Sequence, residues 1–325
     1  MNLKVFGGEI ETKSDGLFSY ITDSGRSSLR LILQGVGITK KYLLPVFLCK
    51  VIIDIFKELK INYSFYDLKG DLSIDAKSIQ RNNFDVLYVI DYFGNKDEKI
   101  KTVVARKHIV IEDCVFLPLI EKPDHLNNWV GFNSFRKISA LADGSIIKST
   151  IRLDEGLIME QTSEFSYWKY KAKDMKYNYL NGNLYSEDEY ITIFQKAENM
   201  IDKQNGIHTI SKRSLFKLFD FYLNMEKEFQ IRRANYKILD EHFQHHSIKN
   251  NTAYPSFYVL CLENRDDLRN YLFQYSIFLP VHWPSAGEIL HNSHYAKLIS
   301  IPVDSRYTED NMLRVSGLIN KFLKM

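Results

Sequence analysis

The chain has 325 residues, of which 45% are hydrophobic and 26% charged, and its formal net charge is +3. This length is enough for one large domain with a substantial core and a smaller second domain. The small net charge, with Lys and Arg dispersed along the chain, argues against nucleic acid as a partner. The longest apolar stretch, residues 43–56, is interrupted by Lys50 and Asp54, so no membrane association is expected.

The N-terminus has no apolar segment of the kind found in signal peptides. The cysteines, Cys49, Cys114 and Cys261, are far apart, form no CxxC pair and lie in apolar surroundings. We therefore expect a cytoplasmic protein with reduced thiols and no metal centre.

The first half of the chain alternates strand-like and helix-like segments. A turn at residues 24–28 opens a helix, and further helices are predicted at 51–59 and 97–105. Strands are predicted at residues 43–47, 63–66, 86–90 and 108–111. This order predicts an α/β fold with a mostly parallel sheet.

After residue 149 the pattern changes to long polar segments with helical periodicity, at residues 187–203 and 212–246. The second resembles a helix that connects two domains. A strand at 254–262, a helix at 266–275, a strand at 278–281 and a helix at 309–322 then predict a small α+β domain. We thus predict a large domain at residues 1–210 and a connecting helix with a small domain at 211–325.

The segment Ser24-Gly25-Arg26-Ser27-Ser28 places hydroxyl groups and a glycine directly before an apolar helix. Free N–H groups at a helix N-terminus bind phosphate well. Serine is also a preferred N-cap residue, and capping alone explains the segment when it is taken by itself.

Two charged residues, Asp113 and Lys137, each follow an apolar, β-rich run. The ends of parallel strands meet at one edge of a sheet, where ligands bind. An Asp and a Lys at such an edge suggest pyridoxal 5′-phosphate (PLP), with the lysine forming the Schiff base and the carboxylate facing the pyridinium nitrogen. Taken singly, each is also explained as a helix cap or a solvated charge.

These segments occur in the order found in the DegT/StrS family of PLP-dependent aminotransferases, which the chain resembles over nearly its whole length. The resemblance rests on a phosphate loop, a Glu-Asp-Ala/Cys segment, a lysine block and small-domain landmarks. These correspond to Ser24-Gly25-Arg26-Ser27-Ser28-Leu29, Glu112-Asp113-Cys114, Ser134-Phe135-Arg136-Lys137 with Ala142-Asp143-Gly144-Ser145, Arg232-Arg233-Ala234-Asn235-Tyr236, His282-Trp283-Pro284 and residues 301–307. The resemblance implies a fold type I PLP-transferase, with a mostly parallel central sheet and a small C-terminal α+β domain.

The resemblance also implies roles for individual residues. Lys137 is the implied catalytic residue, and Asp113 the partner of the pyridine nitrogen. The implied cofactor-binding residues are Gly25, Arg26, Ser27, Cys49, Asp113, Phe116, Ser134 and Ser211, and the implied substrate residues are Gly8, His282 and Trp283. Ser211 is implied to reach the PLP phosphate of the partner subunit, since the family works as a homodimer with active sites at the interface.

The chain departs from the family pattern at three places. Arg26 replaces the usual Thr of the phosphate loop. The lysine block is shorter than the common form and lacks the His that precedes the lysine. Cys49 takes the place of the aromatic residue that stacks on the PLP ring, so Cys49 with Phe93 or Phe116 is expected to pack against the ring.

The implied activity is transfer of an amino group from glutamate to a keto-sugar, nucleotide-linked, in surface polysaccharide biosynthesis. Two alternatives stay open. One is a PLP enzyme acting on a non-sugar carbonyl or amino acid, and the other is a non-catalytic binding protein with this fold.

Overall fold

The computed structural model of the protein describes residues 14–182, 184–252, 254–283 and 293–325. Gly8, predicted to lie near the substrate, and Pro284 fall outside these ranges. Across the described part of the chain, every helix is too short or too polar to span a lipid bilayer.

The main sheet has seven strands in the spatial order β1-β7-β6-β5-β4-β2-β3. The strands are β1 (Phe18–Thr22), β2 (Tyr42–Pro45), β3 (Tyr63–Tyr66), β4 (Val86–Ile90), β5 (Ile109–Asp113), β6 (Trp129–Phe132) and β7 (Ser145–Ser149). Strand β7 runs antiparallel to both of its neighbours, and the remaining pairs are parallel. The predicted α/β fold with a mostly parallel sheet is therefore confirmed.

The sheet is buried on both faces, which is why its strands read as continuous apolar runs. Successive residues of β4 point to opposite faces. Tyr88 and Ile90 belong to a large apolar cluster on one face, whereas Leu87 and Val89 belong to a second cluster on the other. The strand ends are thereby held rigidly at a common edge.

Helices flank the sheet and continue into the C-terminal part of the chain. They are α1 (Gly25–Val36), α2 (Lys50–Glu58), α3 (Ala76–Gln80), α4 (Ile100–Val103), α5 (Phe135–Ile138), α6 (Glu164–Gly182), α7 (Glu187–Lys203), α8 (Lys212–Leu223), α9 (Met225–Phe243), α10 (Arg265–Phe273), α11 (Ser293–Lys297) and α12 (Glu309–Leu323). The predicted helix at 97–105 is reduced to α4. The single connecting helix predicted at 212–246 is two helices, which meet at Asn224.

The C-terminal part has its own apolar cluster, formed by α9, α10 and α12 against a two-stranded antiparallel sheet. The strands of this sheet are β10 (Phe257–Cys261) and β11 (Leu298–Pro302). Residues 278–281, predicted as a strand, form none; Pro280 accepts one backbone hydrogen bond from Ser300 of β11. A further parallel pair, β8 (Ile158–Thr162) with β9 (Ile207–Thr209), flanks α6 and α7.

Candidate active site

A cavity of about 160 Å³ lies where β4, β5 and β6 end and where α1 begins. This is the edge of a parallel sheet at which ligands usually bind. Its wall includes seven of the residues predicted for the cofactor or for catalysis, together with Trp283. These seven are Gly25, Arg26, Cys49, Asp113, Phe116, Ser134 and Lys137.

Asp113 is the last residue of β5, and its side chain is almost fully buried in the wall of the cavity. The Tyr88 hydroxyl donates to Asp113 Oδ2 at 2.6 Å, and the Val115 N–H donates to Oδ1 at 3.1 Å. Burial raises the pKa of Asp113 to about 6, although these hydrogen bonds and the positive charge of Lys137 act in the opposite direction. A cation bound beside this carboxylate would stabilise its charged form.

Lys137 lies on the one-turn helix α5, which follows β6, rather than at the strand tip itself. Its side chain stands in the cavity, surrounded by protein yet accessible to solvent. Within the described residues, its ammonium group has no hydrogen-bond or ion-pair partner. Desolvation, with the neighbouring positive charge of Arg136, lowers the pKa of Lys137. A lowered pKa favours the uncharged amine, which is the nucleophilic form of a lysine.

Lys173 also has a lowered pKa, of about 7, caused by burial and then by the charge of Lys169. Its ammonium, however, donates to the carbonyl groups of Ala140 and Leu141, and it does not line the cavity. Access to the cavity therefore distinguishes Lys137 from Lys173, whereas pKa does not.

The N-terminus of α1 forms one end of the cavity. Ser24 caps the helix by accepting from the Ser27 N–H, which confirms the predicted cap. The same residue also lines the cavity. Gly25 and Arg26 line the cavity, and the Arg26 guanidinium pairs with Asp202 of α7 at 2.6 Å. Ser27 is fully buried away from the wall, so its predicted role in cofactor binding stays a prediction.

Aromatic side chains form another wall. Trp283 and Phe116 line the cavity, and the centroids of their stacked rings are 6.3 Å apart. The Phe93 ring stacks with both of them. Phe93 has φ of 56°, a left-handed conformation that non-glycine residues rarely adopt. His282 contacts this group without lining the cavity, and burial together with the charge of Lys137 lowers its pKa to about 3. His282 is therefore neutral.

Cys49 precedes α2 and lines the cavity, where a negative charge on its sulfur would raise the pKa of Lys137, against the effects of desolvation and Arg136. Ser211 lies elsewhere. It caps α8, and both its N–H and its hydroxyl donate to Asp143. Ser211 faces a separate cavity of about 470 Å³, so in this single chain it does not meet the predicted cofactor site.

A second group of acids lies behind Asp113. The ligand atoms of Asp91, Glu112 and Cys114 are within 4.8 Å of one another, and all three side chains are buried. Glu112 accepts from the Trp129 indole at 2.7 Å and lies 3.9 Å from the Lys96 ammonium. Burial and the charge of Glu112 raise the pKa of Asp91 well above its ordinary value. Alternation along β5 turns Glu112 away from the face that holds Asp113.

Three polar or charged residues of the cavity wall were not predicted from the sequence: Tyr88, Arg136 and Glu198. Tyr88 reads as an ordinary core residue of β4 in the sequence. Glu198 comes from α7, far along the chain from the lysine block. Arg136 had a signal, since it stands next to Lys137, but it reads equally well as a surface charge.

No protein-family model and no curated protein sequence matches the chain. Solved structures do match, and three of them illustrate the shared fold. DesV of S. venezuelae, in complex with a ketimine intermediate, is 13% identical with a TM-score of 0.68, covering 94% of this chain and 85% of its own. A DegT DnrJ EryC1 StrS aminotransferase from Brucella abortus is 15% identical with a TM-score of 0.63 and the same coverages, 94% and 85%. DesI, in the presence of its TDP-sugar product, is 12% identical with a TM-score of 0.66, covering 93% and 80%. The chain therefore has the fold of these aminotransferases, as the sequence resemblance implied.

Proposed function

We propose that this protein is a PLP-dependent aminotransferase. One observation carries the proposal: Lys137 and Asp113 line the same cavity at the strand ends, with the N-terminus of α1 at one end of it. The fold shared with DesV, DesI and the Brucella abortus aminotransferase supports it.

The residues of the cavity suit each part of PLP. Lys137 offers an unpaired amine, and Asp113 a buried carboxylate for the pyridine nitrogen. At the α1 end, Nη1 of Arg136, a residue of the cavity wall, has no hydrogen-bond partner among the residues that the structure describes. Such a donor calls for an acceptor, and a phosphate oxygen is one. Trp283 and Phe116 offer apolar surface for the ring.

PLP supplies a ring that withdraws electrons from the carbon that gains or loses the amino group. In this proposal, Asp113 keeps a proton at the pyridine nitrogen. Lys137 first provides the amine that holds the cofactor and then carries the proton between the two reacting carbons. Its lowered pKa suits both roles, because each requires the uncharged amine.

We propose glutamate as the amino donor and a nucleotide-linked keto-sugar of surface polysaccharide synthesis as the acceptor. The TDP-sugar product recorded for DesI supports a nucleotide sugar. Trp283, at the wall of the cavity, would face this substrate, and the neutral His282 packs against Trp283. A panel of keto-sugar nucleotides and of non-sugar ketones, assayed with glutamate, would identify the acceptor class.

The test of the activity is cofactor attachment. The protein mixed with PLP should show a visible absorbance band that shifts when glutamate is added, and borohydride should fix the cofactor to the peptide that contains Lys137. Lys137→Ala should lose the band and the fixed cofactor. Lys173→Ala is the matched control, since Lys173 also has a lowered pKa but lies outside the cavity. A wild-type protein that stays colourless would refute the proposal.

We also propose a homodimer. Helix α8 exposes Leu215, Phe216, Phe219 and Leu223, which are 50%, 77%, 69% and 68% accessible. Their spacing places them on one side of the helix. Exposed apolar groups of this size commonly mark protein interfaces. The helix begins at Ser211, for which the family resemblance implies contact with the cofactor site of a second copy.

Two further features belong to the proposal. The apolar cluster of α9, α10, α12, β10 and β11 supports a small C-terminal domain, with the division placed near residue 210. The three cysteines are free thiols, which suits a cytoplasmic location.

A further inference from the structure

Arg136 is the residue before the proposed catalytic lysine, and its guanidinium lines the same cavity. One end of the group is occupied: Nη2 donates to both carboxylate oxygens of Glu198, each at 3.2 Å. The Phe165 ring lies 5.7 Å from the guanidinium carbon. These contacts hold the side chain in one orientation.

The other side of the guanidinium is not satisfied. Its Nε is buried and has no hydrogen-bond partner within the described residues. Buried charged donors are nearly always paired, because leaving one without an acceptor is unfavourable. Because Nε has almost no accessible surface, a ligand in the cavity would meet Nη1 instead, for which the described residues provide no hydrogen-bond acceptor.

The charges at this end of the cavity favour an anion. Glu198 is shared, because the Lys169 ammonium also pairs with it. Arg26 pairs with Asp202, one turn further along α7. Three cations, Arg26, Arg136 and Lys169, face three carboxylates, Glu198, Asp202 and Asp23, so the positive charge of Lys137 is the excess charge at this end of the cavity.

Further donors lie at the same end. Gly25 and Arg26 belong to the first turn of the twelve-residue helix α1 and line the cavity. The Ser134 hydroxyl also lies on this wall, and no described residue hydrogen-bonds to it. A tetrahedral oxyanion placed here would meet a helix N-terminus, a hydroxyl and a guanidinium.

We propose that Arg136 binds the phosphate group of the cofactor, donating from Nη1, with Glu198 as the positioning residue that orients the guanidinium. The inference rests on the proposed function for the identity of the ligand. It assigns a role to the part of the lysine block that departs from the family pattern. Arg136 would also compensate for the hydroxyl that is missing where Arg26 replaces Thr.

The test compares the binding of PLP with that of pyridoxal, which has the same ring and aldehyde but no phosphate. Both are titrated by absorbance into wild type, Arg136→Gln and the control Arg314→Gln, whose arginine lies on the surface and donates to the Tyr275 carbonyl. Arg136→Gln should weaken PLP binding by roughly tenfold to a hundredfold and pyridoxal binding by less than about threefold. Arg314→Gln should change neither.

Arg136→Lys keeps the charge without the planar donor, so PLP affinity should fall between wild type and Arg136→Gln. Thermal melting of each cofactor-free protein would reveal a variant that fails to fold. Arg136→Lys is the more conservative change, so it keeps the test usable if Arg136→Gln does not fold. An unchanged PLP affinity in Arg136→Gln would overturn the inference, and so would an equal loss of PLP and pyridoxal in a folded variant.

Inorganic phosphate separates this inference from the proposed function. If wild type binds neither PLP nor pyridoxal, the proposed function fails. In that case, the anion site would still be supported if inorganic phosphate raised the melting temperature of wild type but not that of Arg136→Gln. Wild type that responds to neither PLP nor phosphate would overturn both.

Discussion

Replacing Asp113 by Asn should stabilise the cofactor-free protein above pH 6, although it should abolish the proposed activity. Asp113 is a buried carboxylate whose pKa burial raises to about 6 from an ordinary value of 3.8. A carboxyl group with a raised pKa in the folded state stabilises that state at low pH, and this contribution is lost as the pH rises from about 4 to about 6. Asparagine stays uncharged throughout.

The size of the effect follows from the same pKa. One pKa unit corresponds to about 1.36 kcal/mol, so the ionised Asp113 costs about 3 kcal/mol of folding free energy above pH 6. Asparagine occupies the same volume and can still pair with the Val115 N–H and the Tyr88 hydroxyl, at a loss of about 1 kcal/mol in hydrogen bonding. The variant should therefore be more stable than wild type by about 2 kcal/mol at pH 8.

Urea denaturation of the cofactor-free proteins at several pH values would measure this difference. Buried Asp91 and Glu112 also have raised pKa values, but they are present in both proteins, so subtraction isolates Asp113. Asp54→Asn serves as the control, because Asp54 forms an exposed pair with Lys50 and such pairs contribute about 1 kcal/mol or less. The reasoning is refuted if the stabilities of wild type and Asp113→Asn change in parallel between pH 4.5 and pH 8.

Phe219→Lys, on the exposed apolar side of α8, should shift the proposed dimer toward monomer, as measured by light scattering. The melting temperature of the monomer should not fall. An unchanged molecular mass would contradict the proposed interface. Arg232→Met should destabilise the fold by about 3 kcal/mol in urea denaturation, because the buried guanidinium donates to the Ile138 carbonyl beside Lys137 and its loss leaves Glu228 without its ion-pair partner; a change below about 1 kcal/mol would refute this role. Gly144→Ala should lower stability by more than about 1 kcal/mol, since φ is 111° and a Cβ would lie 2.8 Å from Ile210; a neutral result would show that the loop relaxes.

Much of the fold could be predicted locally. The run at residues 86–90 is apolar throughout, and its identification as a buried strand needed no knowledge of its neighbours. Ser24 before an apolar helix predicted the cap that the structure shows. The helix at 97–105 was overestimated, because its charged residues carry no strong apolar periodicity and only Ile100 is buried.

The long segment 212–246 shows a different limit. Its helical periodicity is real, but nothing in the composition marks the break at Asn224. In the structure, α8 leaves an apolar side exposed, whereas α9 contributes Leu239 and Phe243 to the C-terminal cluster. Different packing on the two sides of Asn224 therefore separates the helices.

For the candidate site, the sequence by itself predicted the groups now proposed to carry the chemistry: an aspartate and a lysine after strands, and a helix N-terminus with serines. This information is local, because strand ends and caps are encoded within a few residues. Only the tertiary structure decided which groups meet. Lys137 rather than Lys173 enters the cavity, and Glu198 of α7 orients Arg136 across it. Contacts between segments distant in the chain depend on how helices pack against the sheet, and no local pattern records that packing.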